Sequence, residues 1–171
     1  MRNRNRNRNR KGRKGNSLIE FVLVAIPFIF IQISIVEICR GMWDYQSLAQ
    51  GVKGACRAAA THGAGCAGTA CAMTVGQIAT TISSYAVGMP ASALDVTLTS
   101  NAGSVTCNPL STCTGSATVW PPAGGNTVGS DIIISGSYNF TSMLMMFVPG
   151  TNGMKFSGVT FSARSRQILL F

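Results

Sequence analysis

Five carboxylates, one histidine and six cysteines are what this chain offers for chemistry. The most unusual of them is Glu20. It falls three residues into an apolar run, within Gly15-Asn16-Ser17-Leu18-Ile19-Glu20-Phe21. A carboxylate inside a membrane segment costs about 3 kcal/mol on insertion scales, so acids there are rare and point to function. The other acids, Glu37, Asp44, Asp95 and Asp131, are scattered, and His62 is the single histidine. No Ser/His/Asp or Cys/His constellation can be assembled from them. Gly124-Gly125-Asn126 reads as a turn rather than a phosphate loop. The residues therefore point away from an enzyme and give no basis for a cofactor.

The element that must position Glu20 is the apolar run itself. Residues 18–38 form a 21-residue stretch, which as a helix spans about 31 Å, the thickness of a bilayer core. Pro27 should kink or loosen it, and Gln32, Ser34 and Glu37 make its second half more polar. Arg2, Arg4, Arg6, Arg8, Arg10, Lys11, Arg13 and Lys14 precede the run and supply eight of the 14 basic residues. The net charge of +9 thus belongs to the tail. A basic tail could bind nucleic acid through phosphates, but one directly before an apolar helix reads as a cytoplasmic flank. The expectation is a single span, N-terminus inside and C-terminus outside, with no nucleic-acid partner. A cleaved secretory signal is disfavoured, since no small-x-small site follows the run.

The helical pattern continues beyond the membrane. Met42, Tyr45, Ala49, Val52, Cys56 and Ala59 recur at helical spacing, with Asp44, Gln50, Lys53 and Arg57 assigned to the water face. Gly51 and Gly54 weaken this stretch by about 1 kcal/mol each, and Gly63-Ala64-Gly65 should end it. One helix over 16–62 is expected. Glu37 and Arg40 are three apart near the outer interface, as a local pair or as a contact for an assembly partner.

After residue 62 the pattern changes. Thr74 can cap a short helix bearing Ile78, Ile82 and Tyr85. Strands are expected over 93–99, 116–120, 131–140 and 158–169, and 143–148 reads as a short apolar turn or helix, either core or an exposed patch for a partner. The fold class is α+β, a pilin-like arrangement: a long N-terminal transmembrane helix packed on a small antiparallel β-sheet domain over 63–171. Cysteines in an exported domain suggest disulfides. Cys66 with Cys71, and Cys107 with Cys113, are the simplest pairings, and crossed pairing is equally open. Cys39 is expected as a free, buried thiol and Cys56 as a core residue. A zinc site using His62, Cys66 and Cys71 lacks the paired spacing such sites show, so no metal is expected.

Taken together, Gly15, Glu20, Phe21, Pro27, Glu37, Arg40 and the Ala58-Ala59-Ala60 stretch resemble the TadE-like pseudopilins of tight-adherence (Flp, type IVb) pilus systems. The resemblance covers about residues 12–62. It implies a minor pilin-like subunit whose basic leader, residues 1–15, is removed by a membrane prepilin peptidase between Gly15 and Asn16. It further implies that Glu20 and Phe21 serve helix stacking, with Glu20 meeting the amino terminus of a neighbouring subunit. The implied partners are the peptidase, other pilins, the assembly platform and the inner membrane. The rival from a different class is a signal-anchored periplasmic domain that binds a surface ligand and never enters a filament.

Overall fold

The apolar run and the stripe after it form one continuous helix, α1 (Arg13–Ala60), in a computed structural model that describes residues 13–62, 73–142 and 157–170. The leader residues 1–12, the glycine stop at 63–65, Cys66, Cys71 and the apolar segment 143–148 lie outside the described residues. Contacts divide the chain into two units, Met1–Cys39 and Arg40–Phe171.

The first unit is the apolar part of α1. Its large side chains, among them Leu18, Phe21, Leu23 and Phe28, are exposed, and the helix is long and apolar enough to cross a membrane. Pro27 lies inside it, so the Leu23 carbonyl loses its usual N–H donor. Ser34 donates its hydroxyl to the Phe30 carbonyl at 2.8 Å, which keeps that polar group satisfied within the helix.

The second unit packs the rest of α1, together with α2 (Val75–Tyr85), on one face of a four-stranded antiparallel sheet. The strands are β1 (Leu94–Ser100), β2 (Gly103–Cys107), β3 (Asp131–Thr141) and β4 (Ser157–Ile168), in the order β2-β1-β3-β4. Alternation along β1 buries Leu94, Val96 and Leu98, and along β3 it buries Ile132, Ile134, Tyr138 and Phe140. These side chains meet Leu48, Val52, Ala55, Cys56 and Ala59 of α1 and Ile78 and Ile82 of α2 in one core. The opposite sheet face is polar, carrying Asp95, Thr97, Ser135, Ser137, Ser162 and Arg164.

Two sequence expectations fail here for identifiable reasons. The segment 116–120 is not a sheet strand; it makes one isolated bridge, Thr74 with Val119. Its carbonyls instead serve the start of α2. Val75 N–H donates to Thr118 O at 2.8 Å and Gly76 N–H to Ser116 O at 3.1 Å, satisfying donors that a helix N-terminus leaves unpaired. Thr74 and Gln77 complete that terminus with a capping box. The second strand is β2, whose Ser104 and Thr106 hide it from a hydrophobic pattern.

The amphipathic stripe is also rotated in its first turns. Met42 and Tyr45 are exposed, while Asp44, assigned to water, is buried and Leu48 takes the core position.

Gly51 has a packing role that its helix propensity conceals, and Gly54 does not. A Cβ on Gly51 would stand 3.2 Å from the Ile82 carbonyl oxygen and 3.3 Å from Tyr85 Cβ. On Gly54 it would stand 3.3 Å from Cε2 of the Tyr85 ring, a side chain that is half exposed and free to swing. Gly54→Ala should therefore stabilise by up to about 1 kcal/mol through helix propensity. Gly51→Ala should destabilise, because the backbone of α2 must move. Urea midpoints of the two variants in one detergent would show opposite shifts; equal shifts would refute this account of the helix contact.

Candidate functional site

Gly15 and Asn16 fall within α1, close to its beginning at Arg13. Glu20 and Phe21 follow and are exposed. Asn16 and Glu20 are four apart, so the two positions share one helical face. A cut before Asn16 would leave a new α-amino group one turn from the carboxylate. Glu37 is buried and Arg40 half-buried, so neither is the fully solvated surface charge that their spacing alone suggests.

At the start of the second unit, the Arg40 guanidinium stands 5.1 Å from the centre of the Phe140 ring, within cation–π range. Phe140 packs on Phe161 at 5.6 Å between centroids, and Tyr45 meets Phe161 edge-on at 6.0 Å. Asp44 lies one turn beyond Arg40 and is buried. Burial pushes its carboxyl above the usual carboxylate range, and the Arg40 charge pulls partly back. A raised acid binds more protons in the folded chain than in the unfolded one. Stability from this group is thus greatest in acid and declines as pH climbs through the raised value.

The polar face of the sheet holds a shallow depression of about 290 Å³ bordered by Asp95, Thr97, Ser135, Ser137, Ser162 and Arg164. It brings together hydroxyls and two charges but no nucleophile–base pair. Nearby, Arg166 makes a two-pronged ion pair with Asp131, and the guanidinium holds that exposed carboxyl below its ordinary value.

The cysteines divide clearly. Cys107 and Cys113 are disulfide-bonded, with Cα atoms 5.7 Å apart. The bridge ties the end of β2 to the 3-10 turn Leu110–Thr112. This is the local pairing, and it removes crossed pairing for these two residues. Cys56 is a buried free thiol near the carbonyls of Ile132 and Ser165, and burial pushes its thiol up. Cys39 is free but exposed, contrary to the expectation of burial, because it points outward from α1. His62 uses Nδ1 to reach the Ala58 carbonyl at 2.6 Å, which occupies it at the end of α1. Among the described residues no three His, Cys, Asp or Glu side chains come together as a metal site.

A long apolar helix and a small helix-on-sheet domain make this an α+β protein. Residues 15–61 match the family model for TadE-like proteins. The match begins at Gly15 and covers Glu20, Phe21, Glu37 and Arg40. The sheet lies outside it. No curated protein and no solved structure matches the chain.

Proposed function

We propose that this chain is a minor pilin-like subunit of a tight-adherence (type IVb) pilus. A prepilin peptidase cuts it between Gly15 and Asn16, leaving α1 as the anchor and the helix-on-sheet domain on the periplasmic side. The observation that carries this reading is the TadE-like match starting at Gly15, with Glu20 set in an otherwise apolar helix behind a basic leader. The leader then serves orientation and is absent from the working protein. Six basic residues remain against five acidic ones, so the mature chain is nearly neutral. Glu37 and Arg40 are the candidates for contact with other pilins or the assembly platform.

The test is the intact mass and N-terminal sequence of the protein extracted from its native membrane. The expected N-terminus is Asn16, and it should be lost when Gly15 is replaced by a bulky residue or when the peptidase is disabled. An intact Met1 start would instead favour the signal-anchored periplasmic binding domain, with the Arg-Asn tail retained.

A further inference from the structure

The first turns of the second unit are inverted relative to a helix in water. Between Arg40 and Tyr45 both charged side chains face the protein: Asp44 is 4% exposed and Arg40 lies over the Phe140 ring. The residues facing away are Met42, Trp43 and Tyr45, at 59%, 61% and 47% exposure. From the next residue onward the exposed positions are Gln46, Gln50, Lys53 and Arg57. The outward surface therefore changes from apolar to polar directly after Tyr45.

One end of the sheet shares this level. The Phe161 ring comes within 3.4 Å of the place where a Cβ on Gly41 would stand. Farther along, Cys56 Sγ lies 3.6 Å from the Ser165 carbonyl and Leu170 N–H donates to Ala60 O. β4 thus climbs beside α1 from Gly41 towards Ala60. Val159, two residues before Phe161, lies about 7 Å farther down that strand, and it is 57% exposed.

We infer that this end of the domain, formed by Met42, Trp43, Tyr45 and Val159, is seated in the headgroup layer of the outer leaflet. The occupant of the apolar surface is lipid. Residues 18–38 of α1 already fill the hydrocarbon core. Trp43 lies five residues on, about 7.5 Å along the helix, which is the depth of one interfacial layer. Trp and Tyr are the side chains suited to that depth, with an apolar body and a polar tip. Turning Arg40 and Asp44 inward keeps two charges away from lipid.

The inference rests on membrane anchoring and not on filament assembly. Its test uses the full-length protein in vesicles of phosphatidylethanolamine and phosphatidylglycerol, with bromine placed near the top or near the end of the acyl chains. Trp120 is fully buried in the core and serves as the unquenched reference. Top-brominated lipid should quench most of the Trp43 emission and end-brominated lipid far less. Trp43→Phe should remove the quenchable component. Quenching by aqueous iodide with none by brominated lipid would overturn the seating. So would lipid quenching that fades as the protein-to-lipid ratio rises, since a second copy would then cover the face. A chain that fails to sediment with vesicles would fail as an anchored protein, a result separable from a sedimenting chain whose Trp43 lipid does not reach.

Discussion

Gly136→Val should unfold the sheet domain more readily than any exposed substitution on it. Gly136 lies in the middle of β3, paired with Val96 on one side and Ala163 on the other. A Cβ there would stand 2.9 Å from Val52 Cγ2 and 3.1 Å from Leu48 Cδ1. Both side chains are fully buried in α1 and have no open space to retreat into. The glycine is therefore required by volume: it lets the helix lie directly on the strand. Alanine adds one methyl and should cost about 1–3 kcal/mol as overpacking, partly offset by about 0.5–1 kcal/mol from removing a strand glycine. Valine adds two more carbons and should cost about 3 kcal/mol or more. That is a large share of the stability of a small domain. Urea unfolding of the full-length protein in detergent, followed through the buried Trp120, measures the difference. Combining Gly136→Ala with Val52→Ala should recover part of the loss, a non-additivity expected of residues in contact. Strict additivity would show that the helix does not press on β3 at this point.

The same contact shows why part of the fold was readable in the sequence and part was not. The length of α1 follows from unbroken apolar and amphipathic periodicity, and β1, β3 and β4 follow from alternation that a half-buried sheet requires. Gly51 looked like a weakness because propensity describes a helix alone, and Gly136 gave no local signal at all. Their use lies in a neighbour's approach, which no local pattern records. β2 was missed because its side chains are mostly small and polar. The segment 116–120 was misread because its backbone serves the open end of α2 rather than a ladder. Asp44 was placed in water because a charge on an amphipathic stripe normally marks the solvated face. That rule assumes water outside, and at the level of Trp43 we infer lipid. The TadE-like resemblance of residues 15–61 was legible in the sequence. Gly15, Glu20 and Phe21 fall within one seven-residue stretch whose meaning depends on a carboxylate in an apolar run. What Glu20 meets depends on other chains, which one sequence does not contain.

Glu20→Ala should leave the protein in the membrane and abolish its incorporation into the pilus. Removing a carboxylate from the apolar helix relieves an insertion cost of about 3 kcal/mol, so anchoring should not suffer. Cleavage after Gly15 should also persist, since the leader and the glycine are unchanged. On the proposed cleavage, what is lost is a negative charge one turn from the α-amino group that would be freed at Asn16. Asn16 and Glu20 share a helical face, so one chain can hold its own pair only along the helix axis. A neighbouring chain can take either group, and doing so fixes the axial stagger between two otherwise featureless apolar helices. Buried charge pairs contribute little net stability but are costly to break singly. Such a pair therefore selects one register rather than strengthening every contact. Glu20→Gln keeps the shape and loses the charge, so it should fail like alanine, whereas Glu20→Asp should retain partial assembly. The measurement is the proportion of processed chain recovered in sheared surface filaments against membrane, alongside its N-terminal sequence. A Gln variant that assembles normally would remove charge pairing from the account. An Ala variant left uncut at Gly15 would move the role of Glu20 from stacking to recognition by the peptidase.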